Sequence, residues 1–308
     1  MINLYACGGA GSNIVGKYLE GTCNHYYIDT STSNLKNINA DNVFIVDGMD
    51  GAGKLRTTTY ENFKDISTDV LIKFKPSPTL NIVISSLAGG SGSVIAPMLV
   101  KALLNEGKNV IVFAIESINS VIEINNTIKT LMSYKSISNS LQKSISIVYF
   151  ENKNRQDSDN QCLWTIELLS LLTDKNRTEE FDISDLHNFL NFDKVTDQNG
   201  DIGFVELSSN IEIIPTKGTH VISSILLTKD KNTSIHTVIP DYLATCIITD
   251  KSFINDLNED IRIDNILGSL AVKIDKLEQI IKTLVDNKTI NKIKNITVQS
   301  DNSHGMIL

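Results

Sequence analysis

The chain is poor in cysteine and histidine, and those it has are dispersed. Cys7, Cys23, Cys162 and Cys246 form no C-x-x-C pair, and the five histidines lie at no metal-ligand spacing from them. This argues against a disulfide framework, a zinc site and a cysteine-histidine nucleophile, and the thiols read as reduced and structural. Long apolar runs are missing too. The longest, at residues 109–115 and 221–227, are strand-sized and far short of a bilayer span. A basic excess is also absent: the net charge of −8 leaves no broad footprint for releasing phosphate counterions. No direct nucleic-acid partner is therefore expected, although backbone dipoles can still hold a nucleotide. Residues 1–7 enter a strand-like segment without a basic leader, so a cytoplasmic chain with no membrane partner is expected.

What is present is an ordinary globular composition, 41% hydrophobic and 21% charged over 308 residues, enough for two domains. The most informative stretch is residues 81–99. Ile82, Val83 and Ile84 read as a strand, which turns through Ser85, Ser86, Ala88, Gly89, Gly90, Ser91 and Gly92 into an amphipathic helix. A glycine-rich turn between strand and helix lets backbone N–H groups and the positive helix end approach an oxyanion. No lysine follows these glycines and the spacing is not G-x-G-x-x-G, so this is neither of the two commonest phosphate loops.

A second unit of this kind opens the chain. Residues 2–6 read as a strand and run into Gly8, Gly9, Ala10, Gly11, Ser12 and Asn13, with a helix expected over residues 14–20. Ile14 stands where a dinucleotide fingerprint has its third glycine. Tyr26, Tyr27 and Ile28 lead to Asp29 at a strand end, the edge where open α/β sheets collect ligands. Residues 43–46 form a third short strand opening into residues 48–54, which approximate G-x-x-x-x-G-K. Leu55 replaces the hydroxyl residue a P-loop needs, and Arg56 with its threonines is a poor helix start. A loop closing over phosphate is the better reading, with Lys54 either at the terminal phosphate or solvated. Strands at residues 110–115 and 145–150 and a helix at residues 121–140 continue the alternation, which predicts a parallel, doubly wound α/β sheet.

From Asn160 to Thr173 apolar residues fall at helical spacing and predict a central helix. Asp182 and Asp185 follow three apart, so both project to one side, as paired acids or as a helix cap. Strand-like segments at residues 203–207, 211–214, 221–227 and 243–249 indicate a second, mixed domain, and residues 263–294 read as a long closing helix. The polar tail ends in Met306, Ile307 and Leu308, an apolar end that is costly to expose unless it docks.

Five motifs in order resemble the tubulin and FtsZ superfamily, in particular its phage-encoded branch: GGAGSN at residues 8–13, GMDGAGK at 48–54, SLAGGSGSVIAP at 86–97, FDISDL at 181–186 and HGMIL at 304–308. The resemblance implies a Rossmann-like GTP-binding domain over residues 1–158 and a central helix over 159–178. It further implies an activation domain over 179–262 and a C-terminal helix and tail over 263–308. It places Gly9, Ala10, Gly11, Ser12, Ala88, Gly89, Gly90, Ser91, Gly92 and Ser93 on the GTP phosphates, and Asn13 and Asp29 near the β-phosphate and magnesium. Gly51, Ala52, Gly53 and Lys54 fall at the γ-phosphate, Glu116 at the ribose, and Asn152 and Asn160 at the guanine edge, where a carboxamide both donates and accepts. No protein ligand to a metal is implied, the Mg2+ being held through the phosphates.

The same resemblance implies an assembly-dependent GTPase. Asp182 and Asp185 of one subunit would orient the water attacking GTP held by the next, in a longitudinal homopolymer with the tail docked on a neighbour. The expected role is positioning phage DNA or a replication compartment in the host bacterial cytoplasm. Alternatives are a plasmid- or prophage-partitioning tubulin acting through an adaptor, a nucleotide-binding regulator that does not polymerise, and a Rossmann dehydrogenase built on Gly9 and Gly11.

Overall fold

A computed structural model describes residues 1–18, 23–33, 35, 38–63, 66–174, 181–209, 218–230, 246–249 and 259–302, without the side chains of residues 58 and 287–302. The first half alternates strand and helix: β1 Ile2–Cys7, α1 Gly8–Val15, β2 Cys23–Asp29, β3 Val43–Ile45, α2 Arg56–Phe63, α3 Ser67–Lys73, β4 Leu80–Ser86, α4 Gly92–Asn105, β5 Val110–Ile115, α5 Val121–Leu141, β6 Ile145–Phe150 and α6 Arg155–Thr173. The second half adds α7 Ile183–Leu190, β7 Ile202–Ser208, β8 His220–Leu227, β9 Cys246–Ile248, β10 Ile261–Leu267 and α8 Ser269–Asn302.

The strands form one sheet in the order β3-β2-β1-β4-β5-β6-β7-β10-β8-β9. From β3 to β7 every neighbour is parallel, whereas β10 runs antiparallel to β7 and β8. This is the predicted α/β class. The winding direction reverses between β1 and β4, whose register pairs Cys7 with Ser85. A crevice therefore opens beyond their carboxyl ends.

Strand periodicity of two divides the core between the sheet faces. Leu4, Ala6, Ile82, Ile84, Ile111 and Phe113 face one side with Ile14 of α1, Ile166 of α6 and Leu186 of α7. Tyr5, Cys7, Val83, Val112 and Ala114 face the other with Leu99 of α4, Leu131 of α5 and Leu277 of α8. Among the described residues no helix is long and apolar enough to cross a membrane. No disulfide forms, and Cys7 and Cys162 are buried.

Several local expectations change. The glycines of the first loop are themselves the first turn of α1, which starts at Gly8 rather than Ile14. The central helix starts at Arg155 rather than Asn160, capped by the Asn154 side chain accepting from Gln156 N at 3.1 Å. A helix does form at Arg56. Residues 263–267, read as the start of the closing helix, belong to β10, buried between β7 and β8. Apolar residues at 263, 267 and 270 fit a helical period, but Ile261 and Ile263 also fit a strand, and pairing with two neighbours decided it. Gly268, at φ +85, then turns the chain into α8. The expected strand at residues 211–214 and the tail motif at 304–308 lie outside the described residues.

Candidate functional site

A cavity of about 670 Å³ lies at the switch point. Its wall includes Gly8, Gly9 and Ala10 from α1 and Gly89, Gly90, Ser91 and Gly92 at the start of α4. Two helix N-termini thus meet in one crevice. The residues preceding them, Cys7 and Ser91, make no side-chain cap, and neither first turn carries an acid. Uncapped N–H groups and two positive dipole ends therefore face the cavity, a combination that favours an anion.

The glycines divide into two roles. A methyl at Gly92 would lie 2.5 Å from the Cys7 carbonyl oxygen, one at Gly8 2.8 Å from Gly92 N, and one at Gly11 2.4 Å from the Ile84 carbonyl oxygen. These three let the two helix ends and strands approach. At Gly89 a methyl meets no protein atom within 4 Å, so the space beyond it is open. Ala88 lies within the run without a positive φ, so its methyl is accommodated.

Of the residues expected at the nucleotide, Gly9, Ala10, Asn13, Lys54, Ala88, Gly89, Gly90, Ser91, Gly92 and Asn152 line this cavity. Others stand behind it. Gly11 is packing, and Ser12 Oγ donates to the Gly8 carbonyl at 3.1 Å. Ser93 Oγ donates to the Gly89 carbonyl, bracing the cradle. Asp29 is 4% exposed and accepts from Thr30 N at 2.7 Å, while Thr30 Oγ1 and Ser91 Oγ are 2.6 Å apart. Burial raises the Asp29 pKa above the usual carboxylate range, partly offset by hydrogen bonds from Thr30 and Ser91.

The loop carrying Gly51, Ala52 and Gly53 rests on the cradle: a methyl at Gly90 would lie 2.5 Å from Ala52 Cβ. Glu116 is turned away from the cavity, accepting from Tyr149 Oη at 2.7 Å. Asn160 is exposed and accepts from Gln156 Nε2 at 2.9 Å.

The wall also carries residues that the sequence reading did not select for the site: Ser86, Ser117, Asn119, Glu123, Lys153 and Asp159. Asp159 pairs with Lys17 at 2.7 Å, and Glu123 with Lys54 at 2.5 Å. Asn126 Nδ2 donates to the carbonyls of Lys54 and Ala88, each at 3.1 Å, and Thr130 Oγ1 donates to the Leu87 carbonyl at 2.8 Å. Glu123, Asn126 and Thr130 are three and four apart, one stripe of α5. That spacing is a readable signal once α5 is known to face two loops.

Asp182 and Asp185 are elsewhere. Asp182 caps α7, accepting from Ser184 N at 2.6 Å and Asp185 N at 3.0 Å, while Asp185 Oδ2 accepts from Asp182 N at 2.9 Å. His187, one turn on, bonds through Nδ1 to Asn109 Oδ1 at 2.7 Å. Asn109 precedes β5, and the cavity wall begins at its last residue, Ile115. Six strand residues at about 3.3 Å each separate the two ends by about 20 Å. The acids and the cradle thus sit at opposite ends of the sheet. Among the described residues no cluster of three or more metal-ligating side chains occurs.

No family model matches the chain. A phage tubulin-like protein of Pseudomonas phage PhiPA3 is 31% identical over 202 residues, a stretch covering 63% of this chain and 62% of that relative's length. The protofilament of TubZ from bacteriophage PhiKZ superposes with a TM-score of 0.80 at 25% identity, covering 94% of this chain and 92% of that one. The phage tubulin PhuZ with GDP gives a TM-score of 0.80 at 20% identity over 94% of this chain and 92% of its own. In fold, in its ordered glycine loops and in these likenesses, the chain resembles the phage tubulins of the tubulin and FtsZ superfamily.

Proposed function

We propose that this chain binds GTP in the switch-point cavity and hydrolyses it only when assembled head to tail. The carrying observation is the separation of parts: two uncapped helix N-termini converge on the cavity, while Asp182 and Asp185 cap α7 at the opposite end of the sheet. A single subunit then holds a cradle without the Asp182 and Asp185 pair, and that pair without a cradle. Stacking copies end on end brings one to the other, a heterologous contact that propagates into a filament. Relatives solved as a protofilament and in a GDP form support this reading.

In the proposed complex the N–H groups of Gly9, Ala10, Gly90, Ser91 and Gly92 hold the phosphates, with Asn13 beside them and Lys54 at the terminal one. A magnesium ion would be carried by the phosphates and would supply charge neutralisation there. Asn152 reads the base, with Asn160 joining it after releasing Gln156. Glu116 reaches a ribose only by leaving Tyr149, whereas Ser117 and Asn119 already line the cavity. Asp182 and Asp185 of the neighbouring copy orient and polarise the attacking water. The four-part division into a GTP-binding domain (1–158), central helix (159–178), activation domain (179–262) and C-terminal helix with docking tail (263–308) is proposed with it. So is a filament that positions phage DNA or a replication compartment in the host cytoplasm.

The test is GTP turnover against protein concentration, with light scattering and electron microscopy of GTP, GDP and nucleotide-free samples. Turnover per subunit is expected to rise steeply with assembly. Asp185→Ala is expected to bind GTP and assemble without turning it over. Turnover per subunit independent of concentration, or loss of GTP binding in that variant, would overturn the proposal.

A further inference from the structure

The Lys54–Glu123 pair is placed oddly for a surface ion pair. Lys54 carries a φ of +64, a left-handed conformation uncommon for a residue with a side chain. Its carbonyl is held by Asn126, and its loop packs on Gly90. The backbone is therefore fixed where the side chain reaches the cavity wall, while that side chain is 54% exposed and can swing. Glu123, whose side chain is 12% exposed, receives Lys54 Nζ at 2.5 Å, Ser117 Oγ at 2.7 Å and Asn119 N at 3.2 Å.

Capping of α5 explains only part of this. Ser120 already accepts from Glu123 N at 3.3 Å, and the Asn119 N–H satisfies the helix entry. Neither requires a lysine from a loop 69 residues away in sequence. A carboxylate on the wall of a cavity built for an anion opposes that anion unless it is neutralised. Lys54 neutralises it. When Lys54 leaves, Ser117 and Asn119 still donate to the carboxylate, so Glu123 is not stranded.

Building on the proposed GTP site, we infer that Glu123 is a positioning residue for Lys54: it competes with the terminal phosphate for that ammonium and so sets how strongly the site prefers a nucleoside triphosphate over a diphosphate. With a diphosphate bound, Lys54 stays on Glu123 and closes the 48–55 loop onto α5. With a triphosphate it transfers to the added charge, and α5 feels the difference through Glu123.

The experiment measures affinity by calorimetry for GDP and a non-hydrolysable GTP analogue, below the assembly concentration, on the full chain. Glu123→Gln keeps the side chain's shape and removes its charge. It is expected to tighten the triphosphate analogue about tenfold and GDP less than about twofold. Lys54→Met is expected to lose most of the preference, and Glu123→Gln to change that preference far less in the Lys54→Met background than in the unaltered chain. Equal shifts for both nucleotides, additive effects in the double variant, or an unchanged preference in Lys54→Met would overturn the inference while leaving GTP binding standing. Absence of guanine-nucleotide binding by the unaltered chain would overturn both. Because Lys54 is exposed, its variant tests the inference even if Glu123→Gln perturbs α5.

Discussion

Arg56 completes a hydrogen bond that Pro97 leaves open. Pro97 lies inside α4 and has no N–H to give the Ser93 carbonyl four residues back, and Arg56 Nη1 donates to that carbonyl at 2.9 Å. Arg56 also donates to Thr130 and, through Nη2, to Ser133 Oγ at 3.0 Å, so one guanidinium ties α2, α4 and α5 behind the cradle. Burial lowers its pKa from the ordinary guanidinium value.

Replacing Arg56 with Met is expected to cost about 1–3 kcal/mol of stability, the penalty for buried acceptors left unpaired. In a Pro97→Ala background the helix supplies its own donor, so the same replacement is expected to cost about 1 kcal/mol less. Urea unfolding of the four proteins in this cycle checks the coupling.

Two glycine-to-alanine changes are expected to separate packing from binding. Gly11→Ala drives a methyl to 2.4 Å from a strand carbonyl and is expected to lower the melting temperature by several degrees. Gly89→Ala meets no protein atom within 4 Å, so its melting temperature is expected to hold while affinity for GTP falls. Thermal unfolding with and without nucleotide reads both.

Asp182→Ser distinguishes the two uses of the acidic motif. Serine caps a helix about as well as aspartate, so stability is expected to stay within about 0.5 kcal/mol. The carboxylate proposed to polarise water is lost, and turnover in assembled protein is expected to fall at least about tenfold. A Phe181–Leu186 segment that acted only as a cap would leave turnover unchanged.

His187 gives the opposite end of the sheet a pH dependence. Burial first, and then the nearby Lys194, whose Nζ is 3.1 Å from Nε2, lower its pKa below the ordinary value. Nδ1 donates to Asn109, which leaves Nε2 to accept from Lys194. Below about pH 6.5 the unfolded chain takes up this proton before the folded one does. The contribution is therefore complete above that pH and declines as pH falls toward the lowered folded value. Lys194→Met is expected to raise the pKa seen in an NMR titration of the His187 ring and to shrink the stability loss between pH 7 and pH 5.

Much of the site was legible because its signals are local. A run such as Ile82, Val83 and Ile84 followed by Gly89, Gly90 and Gly92 states strand, turn and helix within a dozen residues, and Gly8 to Gly11 does so again. What failed were readings in which two local patterns fit. Ile263 and Leu267 also suit a helix, but Ile263 pairs with both β7 and β8 and Leu267 with β8. Arg56 looked like a poor helix start because its partners, Ser93, Thr130 and Ser133, are remote in sequence.

The sequence by itself determined the order of strands and glycine turns, since each depends on side-chain period and backbone freedom over a few neighbouring residues. It also set Asp182 and Asp185 three residues apart, a spacing that fits paired acids or a helix cap, and the structure makes it one capping box. Only the tertiary structure decided which groups share a space. Parallel winding brought Gly8 against Gly92, set Lys54 on Glu123, turned Glu116 to Tyr149 and put the acids at the far end from the cradle. Such distances are fixed by how helices pack across a sheet, which no short stretch of chain records.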